Sequence, residues 1–407
     1  MLTLVHIFFD LKNLLNPFVF FYIYQTIFCF IALSYCDLLY PNIEISSDLK
    51  LFIVVSYVLT FVGAFISRSI FSRMGIKYVR INQISLNNAP SNTFQIAGLI
   101  VFILGVLTFI IFTFKTDGII LFAEDLENER ITRKSGAGLS NLIFVAFLLY
   151  GYSIVLLNTK KSLIIKTLLF LITAFALISY GSRAPLLKLI VASYIIFLIK
   201  SSKKITLTKL FKIGILLFII LATVEAFRSN LSGSDVSFFK LSLLRLSWRP
   251  FVNIQNLQRI YDFFPNQHDF LYGYSYLVDM KLFLPGSNPN FGTYLKNLMD
   301  WEFEGGSITT TFIGLSYLNF GKIAFFFTPL FYGFLFNSIY QIFFPKKRAY
   351  SLSVLFILFF SIGVSGSVST GLFGTLINNI LFLLLTIIVH LFIRQLLQKK
   401  QLTFKIE

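Results

Sequence analysis

The chain has 407 residues, 56% of them hydrophobic, 18% aromatic and only 13% charged, with a mean hydropathy of +0.79. Soluble domains carry about 25% charged residues, so this chain could not cover a surface in water, and its solvent is lipid. The net charge of +17 would point to nucleic acid on a soluble protein, but here the basic residues sit in short runs between apolar stretches, the pattern of membrane topology rather than of a nucleic-acid groove.

Spanning helices need about 20 mostly apolar residues. Taken in chain order, the qualifying stretches are Pro17–Tyr35, Leu49–Ser67, Gln95–Phe114, Leu139–Leu157, Ser162–Tyr180, Ala184–Ile199 and Leu210–Ala226. After a long gap come Ile323–Phe344, Leu352–Thr370 and Leu372–Ile393, while Ile308–Phe320 either dips into the membrane or joins a further span. The fold class expected is an all-α polytopic membrane protein. It has about ten transmembrane helices and one large helical extracytoplasmic loop between the seventh and eighth. Three regions follow: an N-terminal bundle over 1–226, a loop or cap over 227–307 and a C-terminal bundle over 308–407. Cys29 and Cys36 share one apolar stretch and form neither a disulfide framework nor a zinc motif. The first apolar segment is too long for a signal-peptide core and is read as retained.

The positive-inside rule orients the chain. With the N-terminus inside, the inside loops take Lys12, then Arg68, Arg73, Lys77 and Arg80, then Lys160, Lys161 and Lys166. The Lys200–Lys212 cluster, Lys346–Arg348 and Arg394–Lys405 follow, so both termini are cytoplasmic. The outside segments are more acidic, and the 227–307 loop carries both tryptophans, Trp248 and Trp301, as a folded cap would.

Several residues are left over once topology is accounted for. In Gly181–Ser182–Arg183–Ala184–Pro185, Gly and Pro explain a turn into a helix, but Arg183 stands outside, against the charge bias. Its planar fork suits phosphate oxygens, and snorkelling to lipid phosphates is the alternative. The cap adds Arg228, Lys240, Arg245, Arg249 and Arg259. Arg245, Arg249, Asn253 and Asn256 recur at helical spacing as one polar face, with Pro250 expected to split the helix. Together they suit a diphosphate at the membrane surface; a solvated face paired with Asp235, Asp262 and Asp269 is the competing reading. Glu225 and Lys188 sit within spans as functional groups or structural partners. His268 could serve as a base, although a lone loop histidine is more often a bystander. Asp300, Trp301, Glu302 and Glu304 stand where the loop returns to the membrane, and carboxylates beside aromatic rings suit a sugar site or an interfacial belt. The glycines Gly363, Gly366, Gly371 and Gly374 read as helix packing. There is no Walker loop, and no His/Cys cluster points to a catalytic metal.

Three stretches carry a family resemblance: Tyr180–Leu187, containing the glycine-serine-arginine turn; Phe263–Tyr276, followed by Leu284–Pro285–Gly286; and Thr311–Gly321. The chain resembles the O-antigen polymerases of the Wzy type, the oligosaccharide repeat unit polymerases. It departs from them at Leu315, where many relatives carry an acid, and no role for that acid transfers here. The resemblance implies a glycosyltransferase of the bacterial inner membrane, in the lipopolysaccharide and surface polysaccharide pathway. Its substrate would be an undecaprenyl-diphosphate-linked oligosaccharide, its surroundings membrane lipid, and its partners a chain-length regulator and the flippase of the same pathway, with no cofactor. Arg183, Arg228, Arg245 and Arg249 would bind the diphosphate, and Trp248, Trp301 and Tyr317 the sugars. The base is open among Glu302, Glu304, Asp300 and His268. A lipid-linked oligosaccharide flippase would line its spans with charge, and these spans are nearly charge-free; an O-antigen ligase shares the chemistry and is poorly discriminated.

Overall fold

The computed structural model describes residues 1–34, 44–86, 92–120, 138–158, 163–179, 183–201, 238–281, 291–301, 308–344, 348–349, 351–367, 379–382 and 384–392, with isolated helical positions at 215, 219 and 395. The regular elements among these residues are helices apart from one two-residue parallel pair, β1 (Ser85–Leu86) and β2 (Arg348–Ala349). Four described helices are long and apolar enough to cross a membrane: Pro17–Ser34, Ser47–Arg73, Thr93–Lys115 and the run Phe312–Phe343. Ile143–Asn158, Ile164–Ser179, Ser351–Gly363 and Asn379–Phe392 are shorter and equally apolar. The span expected over Leu210–Ala226 lies outside the described residues.

The chain forms two units. The first comprises Met1–Ile81, Ile205–Lys347 and Phe360–Ile377. It contains α1 (Leu2–Phe9) and α2 (Pro17–Gln25), which continues through a wider π turn at Thr26–Ile31. Then come α3 (Ser47–Arg73), and, later in the chain, α8 (Phe238–Phe263), α9 (Tyr274–Lys281), α10 (Phe291–Leu298), α11 (Phe312–Phe320) and α12 (Ala324–Phe343). Ser46 caps α3 and Asn16 caps α2, each accepting from a backbone N–H two or three residues on.

α3 and α12 make the closest pair. A Cβ on Gly63 would lie 2.0 Å from the Leu330 carbonyl oxygen, and one on Gly333 would lie 1.9 Å from that of Thr60. The two glycines therefore let each backbone rest against the other, as small residues do in membrane helices. Polar side chains run along the same seam: Ser56 donates to the Phe325 carbonyl at 3.1 Å, Ser67 and Ser338 share a 2.9 Å bond, and Asn337 donates to Ser67 at 3.1 Å. In lipid such bonds keep buried polar groups satisfied.

The second unit comprises Asn82–Lys204, Arg348–Phe359 and Asn378–Glu407. Its helices α4 (Asn92–Lys115) and α5 (Gly138–Asn158) repeat the device, with Gly98 against Ile154, Gly105 against Leu148 and Gly151 against the Phe102 backbone. Among the described residues these and the Gly63–Gly333 pair are glycines held against a partner helix, while Gly371 and Gly374 of the glycine series read from the sequence lie outside the described residues. α6 (Leu163–Ser179) and α7 (Arg183–Ser201) complete the group; α7 opens at Arg183 with Pro185 in its first turn, as the sequence suggests. Tyr150 donates to Asn379 and stacks on Phe359 and Phe382.

The outward face of α4 carries Ile96, Leu99, Ile103, Leu107 and Ile111, all exposed, while its glycines face inward. Water would select the reverse arrangement, and a hydrocarbon solvent selects this one. The chain is a multi-pass helical membrane protein.

Pro250 does not split its helix: α8 runs unbroken from Phe238 to Phe263. A proline forfeits one hydrogen bond to the carbonyl four residues back, which kinks a helix more often than it ends one when packing holds the far side. Here Phe251, Ile254, Leu257 and Ile260 are buried at every third position beyond it.

Candidate functional site

The second half of α8 organises the residues around it in the first unit. Beside its buried apolar residues, its polar residues are tied down. Asn256 donates to the Thr309 carbonyl at 2.9 Å, and the Thr309 hydroxyl donates back to Asn253 at 2.7 Å. Gln258 bridges further, accepting from the Ser46 backbone N–H at 3.0 Å and donating to Asp262 at 2.8 Å. Asp262 is thereby coupled to the N-cap of α3. Arg259 is exposed, and its guanidinium lies 4.1 Å from the centroid of the Trp301 ring. That is a short cation–π distance. Partial burial pulls the Arg259 pKa down, without threatening the charge of a guanidinium.

Trp301 is brought there by the end of α10. The Trp301 N–H donates to the Lys296 carbonyl at 3.1 Å and the Asp300 N–H to that of Asn297 at 3.2 Å, the paired bonds of a Schellman stop. The stop needs a left-handed residue, and Asp300 supplies it with φ 49. Its carboxylate is left exposed on the turn next to Trp301.

Past α8 the peptide Phe264–Pro265 is cis, and the buried Phe264 carbonyl accepts the Tyr317 hydroxyl at 2.7 Å. His268 rests against Phe263 and Phe264, with Nδ1 2.6 Å from the Asp269 carbonyl. A carbonyl only accepts, so Nδ1 is the donor in this bond.

The second and third resemblance stretches lock together. Leu271 and Tyr272 donate backbone N–H groups to the Leu318 and Asn319 carbonyls at 2.9 and 3.0 Å, and Gly273 donates to the Asn319 side chain at 2.9 Å. Asn319 in turn donates to Ser275 at 2.7 Å. These bonds satisfy the last carbonyls of α11, which no helix can pair internally. Phe270 packs on Gly321, whose φ of 66 suits glycine and whose Cβ would sit 2.9 Å from the Phe270 ring. Thr311 caps the start of α11, accepting from Gly314 at 3.0 Å.

The sequence-derived residues fall into three groups. His268, Asp300, Trp301 and Tyr317 are described in full, and α8 reaches each neighbourhood: Arg259 meets Trp301, Tyr261 meets the Tyr317 ring at 5.0 Å, and Phe263 meets His268. Tyr317 is 2% exposed, packed by Tyr261, Phe270 and Phe325. Leu315 is 2% exposed as well, where a carboxylate would be desolvated. Arg183, Arg245, Trp248 and Arg249 are placed on helices, with side chains outside the described residues; Arg228, Glu302 and Glu304 lie outside them entirely. Arg183 belongs to the second unit and the others to the first.

Residues 14–351 match the family model "Putative O-antigen polymerase". That span takes in α2 through α12, and so every cap element and every bond just described. The chain belongs to the O-antigen polymerase family. No curated protein and no solved structure matches it. In this O-antigen polymerase the resemblance stretches around Gly273 and Asn319 hold the cap on α11, so their sequence signature reports architecture as much as chemistry. Arg259, already among the basic residues singled out in the sequence, is placed on Trp301, and a further cation, Lys322, lies over the Tyr261 ring at 6.0 Å. One signal for Arg259 was available. At about 100° per residue, positions 245, 249, 256 and 259 fall within roughly 40° of one line along a continuous α8.

Proposed function

We propose that this polymerase joins undecaprenyl-diphosphate-linked oligosaccharide repeats into O-antigen or a related surface polysaccharide at the periplasmic face of a bacterial inner membrane. The observation that carries the reading is the Arg259–Trp301 pair, an exposed arginine with its guanidinium 4.1 Å from an indole centroid within the family's span. A guanidinium resting on an indole makes no hydrogen bond to the ring face, so its N–H donors can serve phosphate oxygens, and the indole beside it offers apolar surface to a sugar.

In the transfer, the acceptor hydroxyl of the incoming repeat attacks the anomeric carbon of the growing glycan. The bond from that carbon to the diphosphate oxygen breaks, and the lipid diphosphate departs with the electron pair. Arg245 and Arg249, on one face of α8 with Arg259, neutralise the charge that develops on it, with Arg183 and Arg228 as further phosphate ligands. Trp248 and Trp301 hold sugar. The hydroxyl proton goes to a base. Among the candidates, His268 would act through Nε2, since Nδ1 is taken, and Asp300 through an exposed carboxylate; Glu302 and Glu304 follow directly in the chain.

The test is the length ladder of surface glycan on a gel from a deletion strain, complemented with wild type, Arg249→Ala or Arg259→Ala at matched expression. The expected result is a single capped repeat in the deletion, a full ladder with wild type, and a collapsed or shortened ladder with either variant. Loss of even the single repeat in the deletion would assign the protein to export or ligation instead.

A further inference from the structure

In the second unit a cavity of about 490 Å³ opens between α5, α6 and α7. It gathers the last turns of α5 and α7 and the first turn of α6, the end that the charge pattern places inside. Arg183 stands at the other end of α7, about 26 Å from Lys200 at 1.5 Å per residue, so this cavity is separate from any outer-face chemistry.

Its lining divides into two parts. Lys166 and Lys200 bring two ammonium groups, and no carboxylate lines it among the described residues. Phe170, Ile196 and Phe197 form an apolar wall, with Phe197 57% exposed. Lys200 donates to the Leu156 carbonyl at 2.9 Å, which anchors its ammonium at the C-terminal end of α5. Lys200 lies one residue beyond the apolar stretch, and burial first, then the charge of Lys166, lower its pKa. Two like charges lining one cavity favour an anion between them. Thr159–Lys160–Lys161–Ser162, which joins α5 to α6, adds more positive charge in sequence.

We propose that this cavity binds an anionic phospholipid of the inner leaflet, its phosphate on Lys166 and Lys200 and an acyl chain along Phe170, Ile196 and Phe197. An ammonium pair beside an apolar wall at the headgroup level is complementary to that one molecule's two parts. A free anion would leave the wall unused, and a zwitterionic lipid would bring its own cation to the pair.

The experiment uses the full-length protein, delipidated in detergent and titrated with phosphatidylglycerol or phosphatidylcholine, with retained lipid counted by native mass spectrometry. Wild type is expected to prefer phosphatidylglycerol by about thirty-fold, from two lysines near a headgroup. The double variant Lys166→Gln/Lys200→Gln should lose the preference, and Lys166→Arg/Lys200→Arg should keep it, which separates lost charge from lost fold. Phe197→Ser should weaken phosphatidylglycerol binding, and inorganic phosphate should not displace the lipid from the wild type. No preference in the wild type, an unchanged preference in the Gln variant, or displacement of the lipid by inorganic phosphate would each overturn the proposal.

Discussion

At the scale of single residues, backbone and side-chain roles can be pulled apart. Asp300 holds φ 49 to end α10, a conformation that costs an L-residue about 1 kcal/mol and glycine nearly nothing. Asp300→Gly is therefore expected to raise thermal stability in detergent by about 1 kcal/mol while deleting the carboxylate, and Asp300→Val to lower it. If the glycine variant also restores a full glycan ladder, Asp300 is not the base. Arg259 offers a second separation. Arg259→Lys keeps the charge but loses the planar fork and its contact with Trp301, so the ladder should shorten with little change in stability. An Arg259→Lys strain with a wild-type ladder would reduce the guanidinium to a surface charge.

Elements are joined here by a few residues that act across long sequence distances. Asn319 ties the Leu271–Gly273 backbone and Ser275 to the end of α11. Asn319→Leu takes the acceptor from the Gly273 N–H and the donor from the buried Ser275 hydroxyl, at a cost of about 2–4 kcal/mol. Hydrogen exchange at Leu271–Gly273 should rise sharply, and unchanged protection there would contradict the role. The α3–α12 seam is stricter. Gly333→Leu puts a side chain where the Thr60 carbonyl stands, so folded protein should be lost on size-exclusion chromatography; a monodisperse variant would mean that the helices can separate. Much of this was legible in the chain, since helix extents follow apolar runs and the Thr311–Gly321 stretch does begin and end a helix. Its purpose was not, because no local pattern shows that Asn319 will meet Gly273 or that Gly63 will meet Gly333.

On the scale of the whole molecule, solvent decides the arrangement. The outward faces are apolar and the seams carry Ser, Thr, Asn and Gly, which is stable in hydrocarbon and would aggregate in water. The inside-outside assignment, proposed from charge alone, makes a direct prediction. In a Cys36→Ser background, Asp269→Cys should react with an impermeant maleimide on intact spheroplasts, and Met74→Cys only after permeabilisation. Met74 is 68% exposed and Cys29 is buried, so neither access nor background labelling confuses the result. Reversed labelling would place the cap inside and remove the periplasmic reading.

By itself the sequence determined the membrane, the helical class and the family resemblance, because each rests on composition, apolar run length or contiguous motifs. It also marked α8 as a polar, arginine-bearing helix, although it expected Pro250 to divide it. Tertiary structure alone decided that α8 continues, since the buried Phe251–Ile260 stripe outweighs one missing hydrogen bond. It decided too that Tyr317 packs as a core ring, that Arg259 meets Trp301, and that Lys166 and Lys200 share a cavity. Each of these depends on which residues from distant parts of the chain come within a few ångströms of one another, and that is settled by packing across helices, which no single helix's pattern contains.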